Sequence, residues 1–266
     1  MLVEFSGIPG SGKSHAARLL RAWLQETKKP HVDLESFVRY RAARRGEQIP
    51  SYERDDKFDL ADKQADVLLK SFRNFWLEEP EYTLTYMGTL FALESDRRIR
   101  DLVASSFCYC CAQRGFFIDR CSLATSEIII HEEGLVHRLF TLFGYRRSLA
   151  NDLSALTHVA QLTPRPDVMF WMRCSPELAV KRLNARPEKI PDRLTGISAH
   201  EVEQMLAEAD KRIEVGSLIF RERGTKVVEL RTDIDLDYQY AFQTCFRDLN
   251  FKEEMHQLRP RDPDDE

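Results

Sequence analysis

The chain has 266 residues, of which 43% are hydrophobic and 31% charged, with a formal net charge of −4. That length can bury a substantial core, and one large α/β domain with insertions accounts for it better than two independent units. The negative balance speaks against a nucleic-acid partner, which calls for a cationic excess, and no apolar run approaches the roughly 18 residues of a membrane span.

The chain opens on an apolar strand at 2–6 and passes directly into G-I-P-G-S-G-K-S at residues 7–14, a full Walker A loop, ahead of a helical run over 13–27. Closely packed phosphates need several backbone N–H donors at short range, and Gly7, Gly10 and Gly12 let the main chain approach without a Cβ in the way. Pro9 and Ser11 complete the loop. Lys13 is placed to neutralise β- and γ-phosphate oxygens and the Ser14 hydroxyl to ligate Mg2+, while the helix adds the positive end of its dipole. His15 stands where such loops often carry a second Thr or Ser that touches the α-phosphate, so contacts there are expected to differ. The order of strand, loop, lysine, hydroxyl and helix predicts a nucleoside triphosphate binder. The bland alternative is a glycine-rich turn that binds nothing.

A short second strand at 31–33 completes a βαβ beginning, and Asp33 and Glu35 follow it as D-L-E-S. Residues 41–58 lack apolar periodicity and read as a loop or mobile insertion. Leu60, Ala61, Val67, Leu68, Phe72, Phe75 and Trp76 form a helical stripe, and a second long helix is expected over 87–113, ended by Gly115. Cys108, Cys110, Cys111, Cys121, Cys174 and Cys245 lack paired C-x-x-C spacing. They read as buried free thiols in a reducing cytoplasm rather than as zinc ligands.

Two apolar runs, 116–118 and 128–130, compete for the third strand. The second is preferred, because Ile128-Ile129-Ile130 leads into His131-Glu132-Glu133-Gly134 and then the helical pattern Leu135, Leu139, Leu142, the strand–carboxylate–helix order a phosphate site needs. A fourth strand at 167–172 is followed by Ser175-Pro176-Glu177, a good helix cap and first turn, and a helix over 176–185. A helix at 200–222 closed by Gly224, a strand at 226–230 and a helix at 238–249 complete the domain. Residues 251–266 form a charged tail.

These motifs resemble the P-loop kinases of the thymidylate kinase and nucleoside kinase group, across residues 1–250. The strongest link is the phosphate loop; the second is Val168-Met169-Phe170-Trp171-Met172, then Ser175-Pro176-Glu177, then Lys181, Arg182 and Arg186. The resemblance implies a five-stranded parallel sheet of order 2-3-1-4-5 with helices on both faces, an acceptor-side helical insertion at about 40–115, and a lid at about 182–196. It implies ATP and Mg2+ as cofactors and a small-molecule phosphate acceptor, with a homodimer left open as the assembly. Arg182 and Arg186 would fold over the triphosphate, with Arg193 able to join them, since planar guanidinium groups stabilise charge spread over the transferring phosphoryl oxygens. A solvated arginine face is the competing reading.

Glu132 and Glu133 sit where related proteins place an Asp-Glu pair, one holding the Mg2+ water shell and the other poising an attacking group. Here a glutamate replaces the first aspartate, and its extra methylene displaces the carboxylate. Were 116–118 the strand, Asp119-Arg120 would take this place. Asp33 and Glu35 stand where such kinases put carboxylates that contact the acceptor, and one of them could take its hydroxyl proton; the alternative is that Asp33 or Ser36 merely caps the next helix. Arg97, Arg98 and Arg100 could meet an anionic acceptor, although a solvated helix face is the commoner arrangement. Tyr82, Tyr86, Phe91 and Phe107 could line a pocket, although aromatic residues at helical spacing are more often core. The rival functions are a nucleotide-gated switch without a small-molecule acceptor and a polynucleotide end kinase, the latter disfavoured by the net charge.

Overall fold

Leu2–Ser6 forms strand β1, buried along its whole length. Strands β2 (His31–Asp33), β3 (Ile128–His131), β4 (Val168–Arg173) and β5 (Lys226–Arg231) complete one sheet. The sheet has five strands in the order β2-β3-β1-β4-β5, with every pairing parallel. This is the α/β fold of P-loop NTPases. The computed structural model describes residues 1–34, 62–120, 128–143, 149–185, 194, 196–234 and 236–257. Glu35, Arg186, Arg193, Cys121, the 41–58 segment and the tail from 258 onward lie outside the described residues.

Alternation along the strands divides the core into two layers. Val3, Phe5, Ile128, Ile130, Val168, Phe170 and Met172 pack against helix α1 (Lys13–Glu26) and the last helix, α9 (Tyr238–Gln257). Met169 and Trp171 turn to the other face, where they join residues of α5 (Leu135–Phe143), α6 (Leu149–Leu162), α7 (Pro176–Asn184) and α8 (Ala199–Glu222). Burial on both faces explains why the central strands read as near-continuous apolar runs. Glu4 breaks that run and is fully buried.

Among the described residues between β2 and β3 are three helices, α2 (Asp62–Glu78), α3 (Pro80–Leu93) and α4 (Arg97–Arg120). The single helix expected over 87–113 is instead two. Glu94 adopts an extended conformation, and the Asp96 carboxylate accepts the Arg98 and Ile99 amides at 2.8 and 3.3 Å, opening a new helix. Gly115 does not end α4, which continues to Arg120. It serves instead as a contact point: a Cβ there would overlap the Ser71 carbonyl and meet the Phe75 nitrogen at 3.0 Å. The alternative Asp119-Arg120 site is overturned by the same continuation, since 116–118 is helical and β3 is the 128–131 segment.

Helix α6 is absent from the sequence expectations; its asparagine, aspartate, serine, threonine and histidine are weak helix formers, and burial of Leu156, Val159 and Ala160 supplies the drive. At the C-terminus, α9 runs to Gln257, into the segment expected as tail. Tyr82, Tyr86 and Phe107 are buried core, with Tyr86 and Phe107 stacked at 3.8 Å, rather than a pocket lining. Phe91 is exposed beneath Arg100, and Arg97 and Arg98 face solvent.

Replacing Gly115 with alanine should destabilise the fold by about 1–3 kcal/mol despite the better helix propensity, because the helices must separate. A denaturant titration checks this, and a variant of unchanged or greater stability would contradict the contact.

Candidate phosphate-binding site

The chain leaves β1 and turns back at residues 7–14 to enter α1. Gly10 and Gly12 take φ of 83° and 94°, a region that costs an L-residue roughly 1–2 kcal/mol. Gly12 is the N-cap of α1 and uses no side chain to cap it, so the first helical amides depend on other partners. The loop is also pressed against its neighbours. A Cβ on Gly7 would lie 2.5 Å from the Met172 carbonyl oxygen, and one on Gly10 would lie 2.6 Å from that of Ala179.

Lys13 is nearly buried and folds inward, its Nζ donating to the Gly7 carbonyl at 2.9 Å and the Ile8 carbonyl at 3.2 Å. The ammonium therefore sits within the loop's curve. Ser11 is buried, while Ser14 and His15 are exposed and Pro9 is half-buried. The His15 ring meets Tyr238 edge-on at 5.8 Å and lies 3.5 Å from an Arg18 nitrogen.

Arg182 reaches the outside of the loop from α7. It donates to the Thr232 carbonyl at 2.7 Å, the Thr232 hydroxyl at 2.9 Å and the Gly10 carbonyl at 3.4 Å. Thr232, which follows β5, places its hydroxyl 2.9 Å from the Ser11 carbonyl, and its amide donates to the Arg173 carbonyl at 2.7 Å. Sequence reading missed Thr232, because a lone threonine after a strand carries no signal. It links the phosphate loop, β4 and β5 through one residue.

The carboxylates divide between the two faces of the sheet. On the α1 side, Arg21 bridges Asp33 at 2.5 Å and Glu132 at 3.1 Å, all three partly exposed. Burial alone would favour the neutral guanidine, but the two carboxylates outweigh it and hold Arg21 protonated. On the other side, Glu133 receives Arg138 at 2.8 Å and lies 3.8 Å from a His137 ring nitrogen. Arg138 also donates to Ser106. Neighbours in sequence, Glu132 and Glu133 thus point to different cations. Neither Arg21 nor Arg138 was read as part of the site, although the i,i+5 step from Glu133 to Arg138 lies within reach across a helix start.

Behind this turn, His131 is buried with Nε2 3.2 Å from the Gln113 side-chain oxygen. Burial, reinforced by Arg114 and Arg138, pulls its pKa down to about 3. The Cys110 thiol, 3.8 Å from the same nitrogen, has its pKa pushed up to about 12 by burial, which disfavours the reactive thiolate.

Hydroxyl and carboxylate oxygens are the donors a hard divalent cation takes, so exposed Ser14 and partly exposed Glu132 fit Mg2+ in chemical type. Among the described residues no helix is long and apolar enough to cross a membrane.

No family model matches the chain, and no curated protein does. Among solved structures it is similar to a deoxyadenosine kinase from M. mycoides with bound dATP, at 12% identity and a TM-score of 0.46, over 94% of this chain and 100% of that one. Two further structures of that kinase align over the same shares: one with the products dCMP and dCDP at 14% identity and TM-score 0.38, one with dCTP at 13% and 0.39. The fold assignment stands on the strand order and the loop, independently of these alignments.

Gly10→Ala combines an unfavourable φ with overlap on the Ala179 carbonyl, and should weaken Mg·ATP binding by about tenfold or more while the protein stays folded. Calorimetric titration reads this directly; unchanged affinity would show that binding does not need this loop shape.

Proposed function

We propose that this chain is an ATP-dependent phosphotransferase that moves the γ-phosphoryl group of ATP to a nucleoside, nucleotide or related polar metabolite. The observation that carries the reading is a glycine loop at the end of a central parallel strand, braced from outside by Arg182 and Thr232, with the Lys13 ammonium held in its curve. Lys13 exchanges the Gly7 and Ile8 carbonyls for β- and γ-phosphate oxygens. The backbone of Gly7, Pro9, Gly10, Ser11, Gly12, Lys13, Ser14 and His15 surrounds the polyphosphate. Ser14 and Glu132 hold Mg2+, which when bound offsets charge on the phosphates.

Acceptor chemistry falls to the carboxylates beyond the loop. A hydroxyl acceptor needs its proton taken, and Asp33, Glu35 and Glu133 are the groups for that step. Arg21 ties Asp33 to Glu132, so the β2 and β3 ends stand as one charged block beside the loop. Arg182 would have to exchange Thr232 and the Gly10 carbonyl for phosphate oxygens and, with Arg186 at the start of a lid spanning about 182–196, would then supply positive charge to the transferring group once water is excluded. The segment at about 40–115, whose described part comprises α2, α3 and most of α4, forms the acceptor side. The buried free thiols of Cys110 and Cys111 support a reducing compartment, hence the cytoplasm.

Lys13→Ala should lower ATP turnover by about 100-fold or more with the fold intact, and Glu133→Gln by about tenfold or more. The assay is run with pools of nucleosides, nucleotides and sugars, following ADP and new phosphorylated products together. Stoichiometric product formation is expected. ADP and free phosphate alone would favour a nucleotide-gated switch, and normal turnover in the Lys13 variant would contradict the loop assignment.

A further inference from the structure

Strand β1 delivers more than the phosphate loop. Three residues before Gly7, Glu4 points to the helical face of the sheet, fully buried, in register with His131 of β3. Its Oε2 accepts the Val136 amide at 2.9 Å, and the Leu135 amide nearby lowers the carboxyl pKa. These are N-terminal amides of α5, donors that the helix itself leaves unpaired. The residue just before them, Gly134, does not adopt a positive φ, so its backbone would accept a side chain. What forbids one is space: a Cβ there would overlap the Glu4 carboxyl group.

We infer that Glu4 is a positioning residue that fixes the Glu132–Glu133 turn relative to the phosphate loop, acting through the first amides of α5. The inference rests on the reading of that turn as the metal and acceptor side of the site. Arg21 and Arg138 hold the two glutamate side chains from opposite faces. Glu4 ties the turn to β1, the strand that leads into the phosphate loop, and does so through backbone amides rather than through a glutamate side chain. Because β1 and β3 are paired parallel at Glu4 and His131, a displacement of the turn would have to break this bond or shear the central sheet.

The other carboxyl oxygen of Glu4 faces His131. Oε1 lies 4.0 Å from Nδ1, and neither atom has a hydrogen-bond partner among the described residues. In the tautomer whose Nε2 donates to the Gln113 oxygen, Nδ1 presents a lone pair. A protonated Glu4 would turn its hydrogen toward Nδ1, 4.0 Å away and short of a hydrogen bond, while Oε2 accepts from α5. Burial raises its pKa in that direction, against the opposing charges of Arg114 on α4 and Arg138 on α5; Cys110, Glu133 and His137 are the remaining titratable neighbours. Glutamine carries an N–H where the acid carries its proton, and is therefore the replacement that should preserve the arrangement.

The test is calorimetric titration with ATP, in EDTA and then in magnesium, on the full chain and on Glu4→Met, Glu4→Gln and Gly134→Ala. Glu4→Met keeps volume and removes the acceptor. It should bind magnesium-free ATP within about twofold of the parent yet lose about tenfold or more of the tightening that magnesium brings, as displaced supports of metal ligands do. Glu4→Gln should retain the parent's tightening. Gly134→Ala should reproduce the loss, and should add nothing in a Glu4→Ala background, where the overlap is gone. If Glu4→Met does not fold, the two Gly134→Ala measurements decide. Full magnesium tightening in Glu4→Met or Gly134→Ala overturns the positioning role while leaving the loop reading intact, as does equal weakening with and without metal. A parent that shows no magnesium effect overturns both readings, and is recognised because the failure precedes any substitution.

Discussion

The close approach of the phosphate loop to β4 and α7 constrains everything around it. With Gly7 against the Met172 carbonyl and Gly10 against that of Ala179, the loop occupies a space that admits backbone but no side chain. The curve left inside has room for the Lys13 ammonium, which takes two loop carbonyls as partners. Burying a cation there is tolerable because those carbonyls replace its water, and phosphate oxygens would do so more strongly. Thr232 and Arg182 close the outside of the loop, so its shape is set before any nucleotide arrives. Such preorganisation spares the site the reorganisation that a flexible loop would undergo on binding.

The second organising feature is the divergence of the two glutamates after β3. Glu132 turns to Arg21 on the α1 face and Glu133 to Arg138 on the α5 face. Two adjacent carboxylates would repel in one place; separated by the edge of the sheet, each has its own cation and can carry a different task. Arg21 also gathers Asp33, which joins the ends of β2 and β3 next to the loop. Beneath them lies a buried layer of Glu4 and His131 from the strands with Gln113 and Cys110 from α4, whose polar atoms interrupt the apolar packing of the central strands.

Much of the architecture was legible because its signals are local. The Walker A spacing, the isoleucine run of β3 and the Ser175 cap each combine a pattern with a boundary, and all three lie where expected. What failed depended on tertiary contacts. Gly115 reads as a stop in one dimension but is a helix-crossing point in three. The break at Glu94–Asp96 hides between two apolar stretches of similar period, and α6 is stabilised by burial that its propensities do not announce. In the candidate site, Lys13 came from motif spacing and the carboxylates from strand ends read alongside the kinase resemblance. Glu4, Arg21, Arg138 and Thr232 did not, since each acts through a partner distant in sequence.

The most direct measurement is a crystal structure with a non-hydrolysable ATP analogue and magnesium. The account requires the β- and γ-phosphates inside the 7–14 loop, with the Lys13 ammonium turned from the Gly7 and Ile8 carbonyls to phosphate oxygens and the Glu132 side facing the metal. A triphosphate bound elsewhere, or Lys13 still on its two carbonyls beside an occupied site, would contradict it.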